Sequence, residues 1–339
     1  MIVTYIRSSS YNNYDYCQMQ YFITYVLGHR SISGKKAQLG TIVHKVMECL
    51  ASCKKELQDN PAKSMSITDG AIGEIKFTEK KLFTKKFVAD VLDSSYKYYT
   101  ESCSHHYTGA DIKFCKGLVD DALSYNEGQF DPRKRNVVAS EPQFDIPIEA
   151  DWAKYEYKMP DGKVIKGQLA IKGTIDLVTQ VDEGVIEVID WKTGRRLNWA
   201  TGEEKTYEKL LEDPQLLLYN YAISKLFPEY KQAIMSIYYI RDGGPFSMCF
   251  DKSDQEKFLG MLEKRFKQVQ RNDFPQPISR NRTNFKCTKL CHFYKNKWPG
   301  TNISMCEHVE EHLKAFGEDD TVQRCSRDGF EIGYYEAPG

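Results

Sequence analysis

The chain has no charge surplus of either sign: 47 lysines and arginines balance 47 aspartates and glutamates in 339 residues. That excludes a protein coated throughout in positive charge, and confines any polyanion binding to a local patch. No run of about 18 apolar residues occurs, so no spanning helix is expected. The first residues, Met1 to Arg7, lack the basic-then-apolar layout of a secretory leader. Neither an internal repeat nor a low-complexity tract is present, which sets aside solenoids and disordered or collagen-like classes. A soluble, cytoplasmic, globular protein is expected. With 41% hydrophobic residues it can bury a large core.

Cysteine, by contrast, is abundant, at ten residues: 17, 49, 53, 103, 115, 249, 287, 291, 306 and 325. A reducing compartment argues against a disulfide framework, so metal ligation is the sharper reading wherever cysteines cluster. Cys49 and Cys53, four residues apart, are expected to pack. Cys103 beside His105 and His106 reads as a polar helix end.

Residues 1–30 are helix-compatible. Gly40 and Thr41 then open a helix with Thr41 as its expected N-cap and Val43, Val46, Met47 and Leu50 as its apolar face. Residues 59–73 read as a loop and 77–130 as helical. From Val137 short β-branched runs take over, at 137–149, 163–181 and 185–192. Asp213 and Pro214 start a helix to 227. Two strands at 231–250 and a helix at 252–271 follow. The expected organisation is a single elaborated domain: an N-terminal segment 1–57, a helical insertion 58–135, a core 136–272 and a Cys-bearing segment 273–339.

The segment IKGTIDLVTQVDEGVIEVIDWKTG carries the chemistry. If Asp182-Glu183-Gly184 is a three-residue turn, Asp176 lies directly opposite Asp190. Cross-strand Cβ atoms are about 5 Å apart, so the two carboxylates repel unless a cation sits between them. Mg²⁺ or Mn²⁺ is the natural occupant, since both take carboxylate oxygens and keep waters. Lys192 points to the same face as Asp190. Both charges follow the apolar run Val185, Ile186, Val188, Ile189, where solvated side chains are unexpected.

Gly-Thr-Ile-Asp at 173–176 followed by Ile-Asp-Trp-Lys-Thr-Gly at 189–194 resembles the core of PD-(D/E)XK nucleases. The RecB-like exonuclease branch, which includes the Cas4, AddB and Dna2 nuclease domains, is the most similar. Further motifs fall in the family's order. Gly40-Thr-Ile-Val-His44 with Glu48 resembles its helix with a metal-binding histidine. Glu141 resembles the acidic residue before the hairpin, and Gln215 with Tyr219 resembles the Q-x-x-x-Y signature. The resemblance implies an α/β fold, a restriction-endonuclease-like mixed sheet flanked by helices. It implies that His44, Asp176, Asp190 and the Trp191 carbonyl ligate Mg²⁺ or Mn²⁺, with Lys192 and Glu141 catalytic and Gln215 and Tyr219 orienting the DNA backbone. Products would carry 5′-phosphate and 3′-hydroxyl ends.

In that branch one N-terminal and three C-terminal cysteines hold a [4Fe–4S] cluster, and the resemblance places Cys17, Cys287, Cys291 and Cys306 in that role. The spacing departs from the family's pattern: C-x3-C, then a gap of 14, with Gln18 where proline is usual. A zinc site using Cys287, Cys291 and Cys306 or His292 is the alternative. Between Phe274 and Cys306 no acidic residue occurs, while Arg280, Arg282, Lys286, Lys289, Lys295 and Lys297 interleave with Phe285, Phe293, Tyr294 and Trp298. Cations with aromatics suit single-stranded DNA.

The expected function is a metal-dependent DNA nuclease, an exonuclease acting on single strands or DNA ends, with a helicase or recombination protein as a candidate partner. The alternative is a non-catalytic DNA-end-binding or assembly subunit. Degenerate members lose an Asp or the Lys, and here all are present.

Overall fold

The computed structural model describes residues 1–101, 105–159, 162–197, 202–278 and 285–331. In chain order its strands are β1 (Tyr5–Ile6), β2 (Met65–Asp69), β3 (Gly73–Phe77), β4 (Asn136–Ser140), β5 (Gln143–Pro147), β6 (Lys154–Lys158), β7 (Val164–Gln168), β8 (Ala170–Thr174), β9 (Leu177–Asp182), β10 (Val185–Lys192), β11 (Gln232–Tyr239) and β12 (Gly244–Cys249). Its α-helices are α1 (Ser8–Tyr16), α2 (Gln18–Tyr21), α3 (Lys35–Asp59), α4 (Glu79–Leu82), α5 (Lys85–Glu101), α6 (Gly109–Ser124), α7 (Tyr207–Leu211), α8 (Pro214–Leu226), α9 (Lys252–Gln270), α10 (His292–Lys295) and α11 (Met305–Cys325). They form two compact units. One comprises residues 33–143 and 174–251, the other 1–32, 144–173 and 252–339.

The first unit is built on a mixed sheet of order β12-β11-β10-β9-β4. Strand β10 runs parallel to β11 and antiparallel to β9. A strand inside such a sheet is covered on both faces and so reads as a near-continuous apolar run. That is why Ile186 to Trp191 are all buried. The parallel pairing needs a long crossover, and α7 and α8 lie in it. Asp213 caps α8 through the Gln215 N–H, with Pro214 at the first helical position, as the sequence indicates. Helix α3 sinks Ile42, Val43, Val46, Met47 and Leu50 into one apolar cluster with Leu177, Ile189 and Trp191. Cys49 and Cys53 pack there too.

Two boundaries depart from expectation. Helix α3 begins at Lys35 after Gly34, not at Thr41, whose hydroxyl donates back to the Ala37 carbonyl. Lys35 to Gln38 are good helix formers that carry no apolar stripe, so periodicity does not report them. Residues 59–73 are not all loop either: β2 and β3 pair there as a hairpin. Its inward residues Met65, Ile75 and Phe77 are few, and the strands form by packing against the α3 cluster.

In the second unit β1 pairs in parallel with β8, in a sheet of order β1-β8-β5, and β6 pairs with β7 as a hairpin. Strand β6 (KYEYK) escapes the sequence reading because its burial is only partial and it carries charge. Helix α9 buries Phe258, Leu262, Phe266 and Val269. Helix α11 starts at a Ser304–Glu307 capping box.

Candidate active site

Strands β9 and β10 bring the chemistry together. The pairs Gln180–Ile186, Thr179–Glu187, Val178–Val188 and Leu177–Ile189 end one residue short of Asp176 and Asp190, and extending that register by one position sets the two aspartates opposite each other. This is the register counted from a three-residue turn. At the turn itself Asp182 pairs with Val185, and a bulge restores the register. Gly184, at φ +69°, supplies the left-handed residue that this turn demands.

Asp190 is buried at 2% exposure. Gln215 Nε2 donates to its Oδ1 at 3.0 Å, and Lys192 Nζ lies 2.6 Å from its Oδ2. The same Gln215 amide donates to the Tyr219 hydroxyl at 3.1 Å, and that hydroxyl donates to the Thr174 carbonyl at 2.9 Å. Gln215 and Tyr219 sit one turn apart on α8. They thus tie Asp190 to the backbone just before Asp176.

Asp176 has its own partners: the Trp191 N–H donates to Oδ2 at 3.0 Å, and His44 Nδ1 lies 3.3 Å from the same oxygen. His44 comes from α3, and Gly40 explains how that helix gets close. A Cβ at Gly40 would lie 2.6 Å from Thr193 Oγ1, so glycine there lets the helix approach the end of β10 with the Thr193 hydroxyl in place. Glu141, at φ +49° between β4 and β5, donates its N–H to the Asp176 carbonyl at 3.1 Å. Glu48 is one turn beyond His44, and Lys45 bridges Glu48 at 2.6 Å to Asp69 at 3.1 Å.

The charges report a crowded acidic site. Burial disfavours charge on His44, but the Asp176 carboxylate and its hydrogen bond win and push the imidazole up to about 9. Glu141 is pushed up to about 8 by burial, with Asp176 and Glu48 adding to it. Asp190 is raised by burial and by Asp176, against the pull of Lys192. Asp176 is held low, because His44 and Lys192 outweigh its burial. Negative charge exceeds what the local cations neutralise. One imidazole and several carboxylates form a donor set suited to a hard divalent cation. Among the described residues, no group of three or more His, Cys, Asp or Glu is already drawn into a metal-holding arrangement.

A family model of the PD-(D/E)XK nuclease superfamily matches residues 8–295. The chain belongs to this superfamily. The mixed sheet of this nuclease-superfamily member, flanked by helices, is accordingly restriction-endonuclease-like. Among solved structures the chain is similar to a protein from Eubacterium rectale described provisionally as an exonuclease. The likeness has 12% identity, covers 82% of this chain and 86% of the other, and has a TM-score of 0.44. It is also similar to SSO0001, at 15% identity, 73% and 94% coverage and a TM-score of 0.24. No curated protein matches.

In the other unit, Cys17, Cys287, Cys291 and Cys306 line one small cavity together with Tyr16, whose hydroxyl is raised by burial and by the Cys291, Cys17 and Cys287 sulfurs. The space inside is about 10 Å³, room for about one water. His292 is not among its lining residues; its ring contacts the Asn296 amide. The basic segment is more structural than its composition suggests. Phe293 is buried at 1% and so is not presented for base stacking, while Trp298 is half-buried with one face stacked on His308 at a centroid distance of 4.4 Å. Phe285 is exposed. Arg280, Arg282 and Cys103 lie outside the described residues. No helix among the described residues is long and apolar enough to cross a membrane.

Sequence reasoning missed Asp69 and Lys45, which meet only through the unread β2–β3 hairpin. It also passed over the Thr174 carbonyl, which no side-chain pattern can report.

Proposed function

We propose that the chain is a Mg²⁺- or Mn²⁺-dependent deoxyribonuclease, an exonuclease working on single-stranded DNA or DNA ends. The observation that carries this reading is the opposition of Asp176 and Asp190, each held by its own partners, with Lys192 on the same face. His44, Asp176, Asp190 and the Trp191 carbonyl would hold the cation, with Glu141 beside them. These residues would place a divalent metal where it would supply charge to offset the scissile phosphate and lower the pKa of attacking water. Lys192, with its side chain 31% exposed, can reach a phosphate oxygen while Asp190 keeps its ammonium aimed. Gln215 and Tyr219 fix the Asp190 carboxylate and leave little freedom to reorganise. The decisive experiment incubates 5′- and 3′-labelled single- and double-stranded DNA with the protein, with and without Mn²⁺. Release of labelled mononucleotides only with metal supports the reading; undiminished cleavage in EDTA, or none with either metal, refutes it.

The convergence of four cysteines on one cavity supports a second element, a [4Fe–4S] cluster held by Cys17, Cys287, Cys291 and Cys306. The small volume of that cavity favours a single zinc as the other reading. Anaerobic protein with about four iron per chain decides for the cluster, stoichiometric zinc for the other, and neither metal leaves ordinary buried thiols.

A further inference from the structure

Residues 76–86 carry five lysines against one glutamate, a density that the balanced composition of the whole chain conceals. Lys80, Lys81, Lys85 and Lys86 are exposed, while Leu82 and Phe87 beside them are buried in the α3 core cluster. Arg133, itself clamped by Asp131, donates to the Leu82 carbonyl at 3.2 Å and fixes α4 from beneath. The lysines therefore stand on a rigid base. Thr78, Lys80, Lys81, Thr84, Lys86 and Phe87 line a hollow of about 350 Å³. Among the described residues, no carboxylate lines it. Among the described residues, Lys80, Lys81 and Lys85 make no ion pair, and Lys86 shares its charge with Asp90 at the rim. Ammonium groups and hydroxyls around an open hollow are the donor set for phosphate oxygens. Strand β3 connects this hollow to the candidate site. Its far end, Gly73, pairs with Asp69, which binds Lys45 next to His44. Lys81 Nζ donates to the Lys76 carbonyl, only three residues or about 10 Å further along the strand.

We propose that this hollow is a second contact for the phosphate backbone of the DNA substrate, a few nucleotides away from the scissile bond. The proposal rests on the nuclease reading and deepens it by naming where the substrate extends. The test is the salt dependence of DNA binding by the full chain, read by fluorescence anisotropy with Ca²⁺ in place of Mg²⁺. The variant is Lys80→Gln/Lys81→Gln/Lys86→Gln, and the control is Lys97→Gln/Lys113→Gln/Lys116→Gln, also at exposed positions. Each lost phosphate contact lowers the slope of log affinity against log salt by about 0.9 on duplex and about 0.7 on single strands. The expected change is thus about 2 to 3 for the first variant and none for the control, with KM raised and kcat unchanged in Mg²⁺. The melting curve of each variant checks that the fold is intact. An unchanged slope in a variant whose parent binds and cuts DNA overturns the hollow but not the nuclease reading. A parent that neither binds nor cuts overturns both. Loss of binding to anionic phosphatidylserine vesicles with an unchanged DNA slope gives the hollow to a membrane surface instead, and also overturns the proposal.

Discussion

Gly40→Ala is the substitution whose consequence the geometry fixes most closely. The new Cβ would lie 2.6 Å from Thr193 Oγ1, about 0.8 Å inside ordinary contact, which starts at 3.4 Å. Replacing a helical glycine by alanine contributes about 1 kcal/mol in isolation. Overpacking costs about 1–3 kcal/mol. The two nearly offset, so stability should fall by no more than about 2 kcal/mol. Activity should fall further than stability. His44 is one turn along from Gly40, and moving α3 outward by the shortfall stretches its 3.3 Å contact with Asp176 to about 4 Å. Misplacement of about 1 Å in a catalytic constellation costs on the order of 100-fold. Rescue is built into the same geometry. The next atom from the new Cβ is Thr193 Cβ at 3.8 Å, an ordinary contact, so Thr193→Ala should relieve the clash entirely. Gly40→Ala/Thr193→Ala should recover the rate and melt above the parent. Urea unfolding at constant m-value and initial cleavage rates on labelled DNA, arranged as a double-mutant cycle, measure both effects. If Gly40→Ala cuts at the parental rate, or the cycle shows no coupling, Gly40 does not set the approach of α3.

Asp190→Ala and Lys192→Ala should each remove about two orders of magnitude or more of the cleavage rate while leaving the melting curve cooperative, since a preorganised charge is lost in each. Parental rates in both would place the chemistry elsewhere. Arg135 donates to Glu187 and Thr179 inside the sheet, and Ser236 donates to Glu187 at 2.5 Å. Arg135→Met leaves that buried carboxylate without its cation and should cost about 3–5 kcal/mol in urea melts, more than Arg135→Met/Glu187→Gln. The metal-free chain should lose stability as pH rises from about 5 to about 9. His44 and Glu141 hold their protons more tightly folded than unfolded; their contribution is therefore full below pH 6.5 and 4.5 respectively, and is lost through about 9 and about 8. Mn²⁺ should flatten this decline by displacing those protons. Melting temperatures in EDTA and in Mn²⁺ across that range test both signs, and an EDTA curve that climbs with pH contradicts them.

The hairpin was legible because two signals agree there. A continuous apolar run marks β10 as covered on both faces, and Asp190 and Lys192 interrupt it where solvated charge has no place. Its register survived an error in the turn. Asp182 pairs with Val185 over a two-residue loop, yet the bulge that follows adds back the residue that a three-residue count assumes. The i, i+4 pairs on α3 and α8 were equally accessible, since a helix repeats its face every turn whatever its tertiary context. Pro214 and Asp213 also marked the start of α8 to the residue.

What escaped is long-range or lies in the backbone. Glu141 itself was named from its motif, but its aim was not legible: the residue is left-handed, φ +49°, at a strand junction, a conformation that glutamate has no intrinsic preference for. The Lys45–Asp69 pair spans 24 positions and depends on a hairpin whose inward residues are too few to register as periodic. Phe293 misled for a different reason. Aromatic and basic residues interleaved along a segment look the same whether the rings face solvent or pack inward. The cysteine cavity needs such filling: Phe293 lines it with the four thiols. Composition could place cations in this tail but not say which rings were free to meet a base. By the same argument the lysines of residues 76–86 were hidden in a stretch read only as helical. Their meaning came from Leu82 and Phe87, whose burial leaves the neighbouring lysines facing solvent, with Lys80, Lys81 and Lys86 around one hollow.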